Sequence, residues 1–123
     1  VYLANDRDID LEYVLPGSQK IRNFTVDFLK SHNLKASNPV MFSDLFKKIY
    51  EFPVFLTHFE VVDVSFMQRP EVKAFIDAVD QSKGIFLYRW SDALLRYIQM
   101  AIFAKPKEVV YRKTFRLSYC HPC

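Results

Sequence analysis

The sequence predicts an α/β domain, on three observations. Segments rich in β-branched and aromatic residues, Pro53 to Phe66 and Glu108 to Leu117 among them, alternate with segments whose apolar residues recur at helical spacing, such as Val72, Phe75, Ile76 and Val79. Half of the 123 residues are hydrophobic, enough for a single domain, residues 1–123, with a modest core. Only 2 glycines are present, so no glycine-rich loop can cradle phosphates, and the dinucleotide-binding and P-loop architectures drop out.

From Tyr2 to Leu15 the chain alternates, with Ile9, Leu11, Tyr13 and Leu15 on one face and Asp8, Asp10, Glu12 and Val14 on the other. That pattern predicts a half-buried strand, ended by Pro16-Gly17. Asp6, Asp8 and Asp10 have the composition of an acidic metal element, but the alternation puts Asp8 and Asp10 on the solvent face, and the plain surface role is preferred. Ser18 is placed to cap a helix with Ile21, Phe24, Phe28 and Leu29 inward, running out at Ser31-His32-Asn33. Inside it, Asn23-Phe24-Thr25 is an N-glycosylation acceptor pattern, which has meaning only in the secretory lumen and also arises by chance. A loop from Asn33 to Pro39 leads to a short helix capped by Ser43, with Leu45, Phe46, Ile49 and Tyr50 buried.

Pro53 to Phe66 reads as an extended, buried segment, and within it Glu60 calls for an explanation, because a carboxylate in apolar surroundings is costly unless paired. Either it points to solvent from an edge strand or it sits in a partly dry pocket; His58 has a plain role as a hydrogen-bonded histidine. Arg69-Pro70 opens a third helix with Val72, Phe75, Ile76 and Val79 inward, and Gly84 suits the left-handed position at its end. Ile85 to Tyr88 reads as a buried extended run that breaks at Arg89-Trp90-Ser91-Asp92 and restarts as a helix with Leu94, Leu95, Ile98, Ala101 and Ile102 on one face. A strand that ends in a helix start delivers polar side chains to the rim where α/β proteins bind ligands. Ser91-Asp92 is also what helix capping looks like, Arg89 suits a local salt bridge, and Trp90 suits the core; for Asp92, capping and ligand binding are compatible. Lys105-Pro106-Lys107 makes a turn before a strand from Glu108 to Leu117, with Val109, Tyr111 and Phe115 inward.

The net charge of +3 comes from 17 basic and 14 acidic residues, and the basic ones are scattered from Lys20 to Arg116, which argues against a nucleic-acid partner. No apolar run approaches the roughly 20 residues that span a bilayer. Cys120 and Cys123 stand as Cys-His-Pro-Cys without the second ligand pair that zinc needs and without a following helix to activate a redox thiol; partners beyond this stretch remain open.

Two elements carry a resemblance. Tyr88-Arg89-Trp90-Ser91-Asp92-Ala93 resembles the Tyr-x-Arg-Trp-Gly-Asp-Ala-Pro stretch of the fungal-type Golgi α-1,2-mannosyltransferases, and Phe59-Glu60-Val61 is similar to that family's Asn-Phe-Glu-Ile, at a similar spacing of 32 positions between Glu60 and Asp92. Tyr119-Cys120-His121-Pro122 resembles the family's terminal Gly-Tyr-x-His. The resemblance implies part of a GT-A-like nucleotide-sugar transferase fold, a mixed sheet with flanking helices, forming the C-terminal half of a catalytic domain. It further implies retaining transfer of mannose from GDP-mannose to a mannose hydroxyl of a glycoprotein glycan, with Mn²⁺, in the Golgi lumen, from a protein anchored by a membrane segment outside this chain. By carry-over, Glu60 and Asp92 are catalytic, Tyr88, Arg89 and Trp90 bind substrate, and His121 touches the metal. The chain departs from the family where Val54 to His58 replaces Cys-His-Phe-Trp-Ser-Asn, where Ser91 replaces glycine and where Leu94 replaces proline. A transferase using another nucleotide sugar and an inactive relative serving as a protein-interaction domain are the alternatives.

Overall fold

The computed structural model describes residues 2–4, 7–11, 20–48, 51–55, 57 and 59–111. Over these residues the fold is α/β, with two small sheets and helices packed around them. Strands β1 (Tyr2–Ala4), β4 (Glu60–Val62) and β5 (Val109–Tyr111) form a mixed sheet in the order β4-β1-β5, β1 running antiparallel to β4 and parallel to β5. Strands β2 (Arg7–Leu11) and β3 (Glu51–Phe55) form a separate antiparallel ribbon, Ile9 opposite Pro53. The single strand predicted from Tyr2 therefore divides: β1 and β2 join different sheets. The extended segment predicted from Pro53 to Phe66 divides likewise into β3 and β4, and its end, Val64–Met67, is a helical turn (α3) because the Asp63 carboxylate accepts from the Ser65 backbone N–H at 2.9 Å.

Helix α1 (Ile21–Ser31) buries Ile21, Thr25, Phe28 and Leu29, with Phe24 half-buried beside them. It starts two residues later than the sequence suggested, after Lys20 in a left-handed conformation (φ 71°) and with no capping side chain; Ser18 lies outside the described residues. Helix α2 (Pro39–Asp44) is capped by Asn38, whose side-chain oxygen accepts from the Met41 N–H at 3.3 Å. Ser43, predicted as a cap, sits inside that helix; Leu45 is buried as expected and Phe46 is 42% exposed, while Ile49 and Tyr50 lie outside the described residues.

Helix α4 (Pro70–Ser82) begins with proline at the position whose amide needs no partner, and buries Val72, Phe75 and Val79, although Ile76 stays 39% exposed. Its left-handed end is Lys83 (φ 59°) rather than Gly84. Gly84 instead opens a helical turn, α5 (Gly84–Leu87), where an extended run was expected, and Ile85, Phe86 and Leu87 are exposed. What Gly84 supplies is room: a Cβ added there would lie 2.3 Å from carbons of the Trp90 ring. Trp90 is buried against Gly84 and Phe24, with Tyr88 stacked on it.

Helix α6 (Asp92–Phe103) is the central element; from Tyr97 to Phe103 every residue is buried, and it packs on β3 and α2. Its orphan carbonyls are satisfied from outside the helix. Ser37 N–H donates to the Ile102 carbonyl and Asn38 N–H to that of Ala101, both at 3.1 Å, while Tyr97 donates its hydroxyl to the Met41 carbonyl at 3.1 Å. A 3₁₀ turn (Pro106–Glu108) leads to β5, and the strand predicted to Leu117 is described only to Tyr111.

Because Trp90 is the chain's one tryptophan, its fluorescence reports on this packing. Gly84→Ala is expected to lower stability by about 1–3 kcal/mol through overpacking. A denaturant midpoint unchanged from wild type would show that the ring can yield.

Candidate functional site

The site is built where the turn between β3 and β4 meets the first turns of α6. Ala4 pairs with Glu60 and Tyr2 with Val62, so the Tyr2 side chain is a diagonal neighbour of Glu60 across the strands. Its phenol, on a ring that is only 1% exposed, donates to Glu60 Oε2 at 2.5 Å. From α6, Arg96 donates Nε to Oε2 and Nη2 to Oε1, each at 3.2 Å, gripping the carboxylate with two parallel bonds. The third nitrogen of Arg96, Nη1, donates to Gln99 Oε1 at 2.7 Å and lies 3.4 Å from the Met67 sulfur. Glu60 and Arg96 side chains are each 21% exposed, so the pair is partly desolvated and its mutual attraction correspondingly strong.

Asp92 opens α6, where the helix dipole favours negative charge. Ser91 performs the capping, its hydroxyl accepting from the Leu94 N–H at 3.2 Å, so the Asp92 side chain is free to turn elsewhere. Asp92 Oδ2 accepts from the Thr57 hydroxyl at 3.0 Å. Asp92 and Arg96 are four residues apart on α6 and share a face, which brings Asp92 alongside the Glu60 pair. Tyr2 reports the same proximity: its phenol is held far above the ordinary tyrosine range, first by burial, then by its bond to Glu60 and the Glu60 charge, with Asp92 adding and Arg96 opposing.

Of the remaining residues singled out in the sequence, Tyr88 accepts at its hydroxyl from Lys20 Nζ at 3.2 Å, Arg89 is exposed in a left-handed conformation (φ 54°), and Trp90 is 4% exposed within the aromatic core. His58, His121, Cys120 and Cys123 lie outside the described residues. Tyr2, Thr57, Arg96 and Gln99 were not anticipated. The available signal was Arg96 itself, a cation one turn beyond Asp92 on an otherwise apolar helix, and the requirement that a half-buried Glu60 find a counter-charge. Two cavities, of about 410 Å³ between α4, α5 and α6 and about 500 Å³ beside α1 and α2, are lined by neither Glu60 nor Asp92. Among the described residues no group of three or more His, Cys, Asp or Glu side chains is arranged to hold a metal ion, and Glu60 is already committed to Arg96. No helix among them is long and apolar enough to cross a membrane.

The fold is α/β, of the GT-A-like nucleotide-sugar transferase kind. The structure matches the crystal structure of core-mannan synthase A from Aspergillus fumigatus in its Mn/GDP form, with a TM-score of 0.67 and 22% identity, covering 91% of this chain and 32% of that one. The chain belongs to the glycolipid 2-alpha-mannosyltransferase family, whose model matches residues 15–122. Curated relatives include glycolipid 2-alpha-mannosyltransferase 2 of Candida albicans (24% identical, covering 86% of this chain and 27% of the relative) and glycolipid 2-alpha-mannosyltransferase of Saccharomyces cerevisiae (28%, 80% and 22%). A probable mannosyltransferase of the same yeast, YUR1, is 30% identical over 57 residues, 46% of this chain and 13% of its own length. The chain thus spans less than a third of the relatives it matches.

Arg96→Met is expected to cost about 1–3 kcal/mol by leaving the Glu60 carboxylate part-buried without its partner. Glu60→Gln in that background should recover part of the loss, and a double-mutant cycle from denaturant unfolding with a coupling below about 0.5 kcal/mol would deny the pair a structural role. Tyr2 gives a second test. Its raised folded-state pKa means that its contribution to stability is complete below the ordinary tyrosine value of about 10 and is lost as the pH rises beyond it. Midpoints measured between about pH 9 and 11 should fall more steeply for wild type than for Tyr2→Phe.

Proposed function

We propose that this chain forms the C-terminal half of the catalytic domain of a retaining α-1,2-mannosyltransferase that moves mannose from GDP-mannose to a mannose hydroxyl of a glycoprotein glycan. The observation that carries the proposal is the pairing of roles at one end of α6: Glu60 fixed by Arg96 and Tyr2, and beside it Asp92 accepting from a hydroxyl. Retention needs a carboxylate beneath the anomeric carbon, either to bond to it or to stabilise positive charge while the acceptor attacks from the leaving-group side. Three donors on Glu60 draw down its nucleophilicity and fix its position, which favours the second route. Asp92, whose partner is the neutral Thr57 hydroxyl rather than a guanidinium, is suited to accept from a sugar hydroxyl in Thr57's place.

The metal belongs to this reading through the Mn/GDP form of the structural relative and through His121. The described residues do not themselves make a metal site. Tyr88 and Arg89 are proposed to line the substrate rim, with Trp90 supporting them from the core. A Golgi lumenal location and a membrane anchor outside this chain complete the proposal. A second reading, an interaction domain without catalysis, is favoured by one observation: Ile85, Phe86 and Leu87 stand exposed on α5, Phe86 at 78%.

Mannose transfer by the full-length protein decides between them. Glu60→Gln should lower the transfer rate by about a hundred-fold or more. Asp92→Asn, which leaves the Glu60 pair intact, should also lower it, by removing the charge that accepts from the acceptor hydroxyl. Undiminished transfer in both variants would remove this rim from the mechanism, and absence of transfer by the wild-type protein would favour the interaction domain.

A further inference from the structure

The acceptor pattern Asn23-Phe24-Thr25 is not used by the proposed reaction, and the fold gives it a definite character. All three residues lie within the first one and a half turns of α1. Asn23 is exposed, Phe24 is half-buried with its ring 5.0 Å from that of Trp90, and Thr25 is fully buried (0% exposed), its hydroxyl donating to the Ile21 carbonyl at 2.8 Å. An acceptor sequence is read through two groups together, the asparagine amide and the hydroxyl two residues on. In an extended chain residues i and i+2 point the same way, whereas on a helix they lie about 200° apart. Here that rotation sends Asn23 to solvent and Thr25 into the core, and the hydroxyl is already hydrogen-bonded inside the helix.

We infer that Asn23 is an N-glycosylation site that can be used only before α1 closes. The glycan donor is a lipid-pyrophosphate-linked oligosaccharide. The Asn23 amide nitrogen bonds to the anomeric carbon, the bond from that carbon to the pyrophosphate oxygen breaks, the lipid pyrophosphate leaves with the electron pair, and a base takes the amide proton. Once attached, the glycan projects from the exposed face of α1, where the fold has room for it. Occupancy is therefore set by a race between transfer and folding of α1, and the folded protein is refractory. The inference rests on the lumenal location proposed above for its occurrence in the cell, though not for its test.

The full-length protein, with its proposed membrane anchor replaced by a cleavable signal sequence, is translated into endoplasmic-reticulum microsomes. In parallel, the folded, unglycosylated protein is incubated with purified oligosaccharyltransferase and lipid-linked oligosaccharide. A mass increase removed by a glycan-releasing amidase, absent in Asn23→Gln and Thr25→Val and retained in Thr25→Ser, is expected in the first arm. Occupancy of Asn23 in the second should be at least about ten-fold lower, because few molecules have α1 open at any moment. Equal occupancy in the two arms would overturn the dependence on folding, and no Asn23-dependent shift in the microsomes would overturn the site. Because the signal sequence supplies entry to the lumen, neither failure bears on mannose transfer.

Discussion

A carboxylate removed from water needs a counter-charge, and in this chain that requirement joins the two halves of the architecture. Glu60 belongs to the mixed sheet, Arg96 to the helix that fills the core, and Tyr2 to the strand between β4 and β5. Desolvating the pair costs several kcal/mol, which two parallel bonds and a phenol hydrogen bond offset only if all three groups are held in register. The pair therefore acts as a positional lock more than as a source of stability. It sets where β4 begins relative to α6, and so where the turn carrying Thr57 comes to lie against Asp92.

The lock works because α6 is immobilised at its other end. Its last carbonyls take the backbone amides of Ser37 and Asn38, and Asn38 in turn caps α2. Arg69 reaches the Phe103 carbonyl at 3.5 Å and faces Glu108, whose carboxylate accepts from the Lys105 N–H at 2.8 Å, closing the turn into β5. That last bond, more than the nearby arginine, holds the Glu108 carboxyl below the usual range. A helix tied at both ends and buried along its length is a rigid mount, and side chains on such a mount can be held to the tolerance that the proposed reaction requires.

How much of this was legible in the sequence follows from the range of each signal. The helices α1, α4 and α6 were, because their apolar stripes are local and repeat over two or more turns. The α/β class and the family resemblance were legible from short motifs. The strand boundaries were not: nothing local in Tyr2 to Leu11 marks where the chain leaves one sheet for another, since that depends on pairing with Glu60 to Val62 and with Glu51 to Phe55, far along the chain. The segment Ile85 to Leu87 reads as buried strand because its apolar content signals burial; with Trp90 fitted tightly over Gly84, the chain forms a helical turn there and leaves those side chains outside. For the site, Glu60 and Asp92 stood out by unusual surroundings and by likeness. Arg96 and Tyr2 did not, since each is ordinary until its partner, 36 and 58 positions away, is known.

The same pairing limits what chemistry the rim can perform. Glu60 is paired with Arg96, whereas Asp92, at the start of α6, accepts from the Thr57 hydroxyl at 3.0 Å and, among the described residues, from no guanidinium. A rim of this kind offers one carboxylate fixed in place with its lone pairs largely occupied and a second that can exchange one hydroxyl partner for another. The first is suited to stabilising a charge that appears only in passing, and the second to recognising a polyol. Were the functions reversed, with Asp92 beneath the reacting carbon, the carboxylate nearest the chemistry would be the exposed one, screened by water and free to rotate, and the desolvation invested in the Glu60 pair would serve the fold alone. The division of labour proposed for these two carboxylates from likeness to relatives is compatible with one being held by three donors and the other by a single hydroxyl.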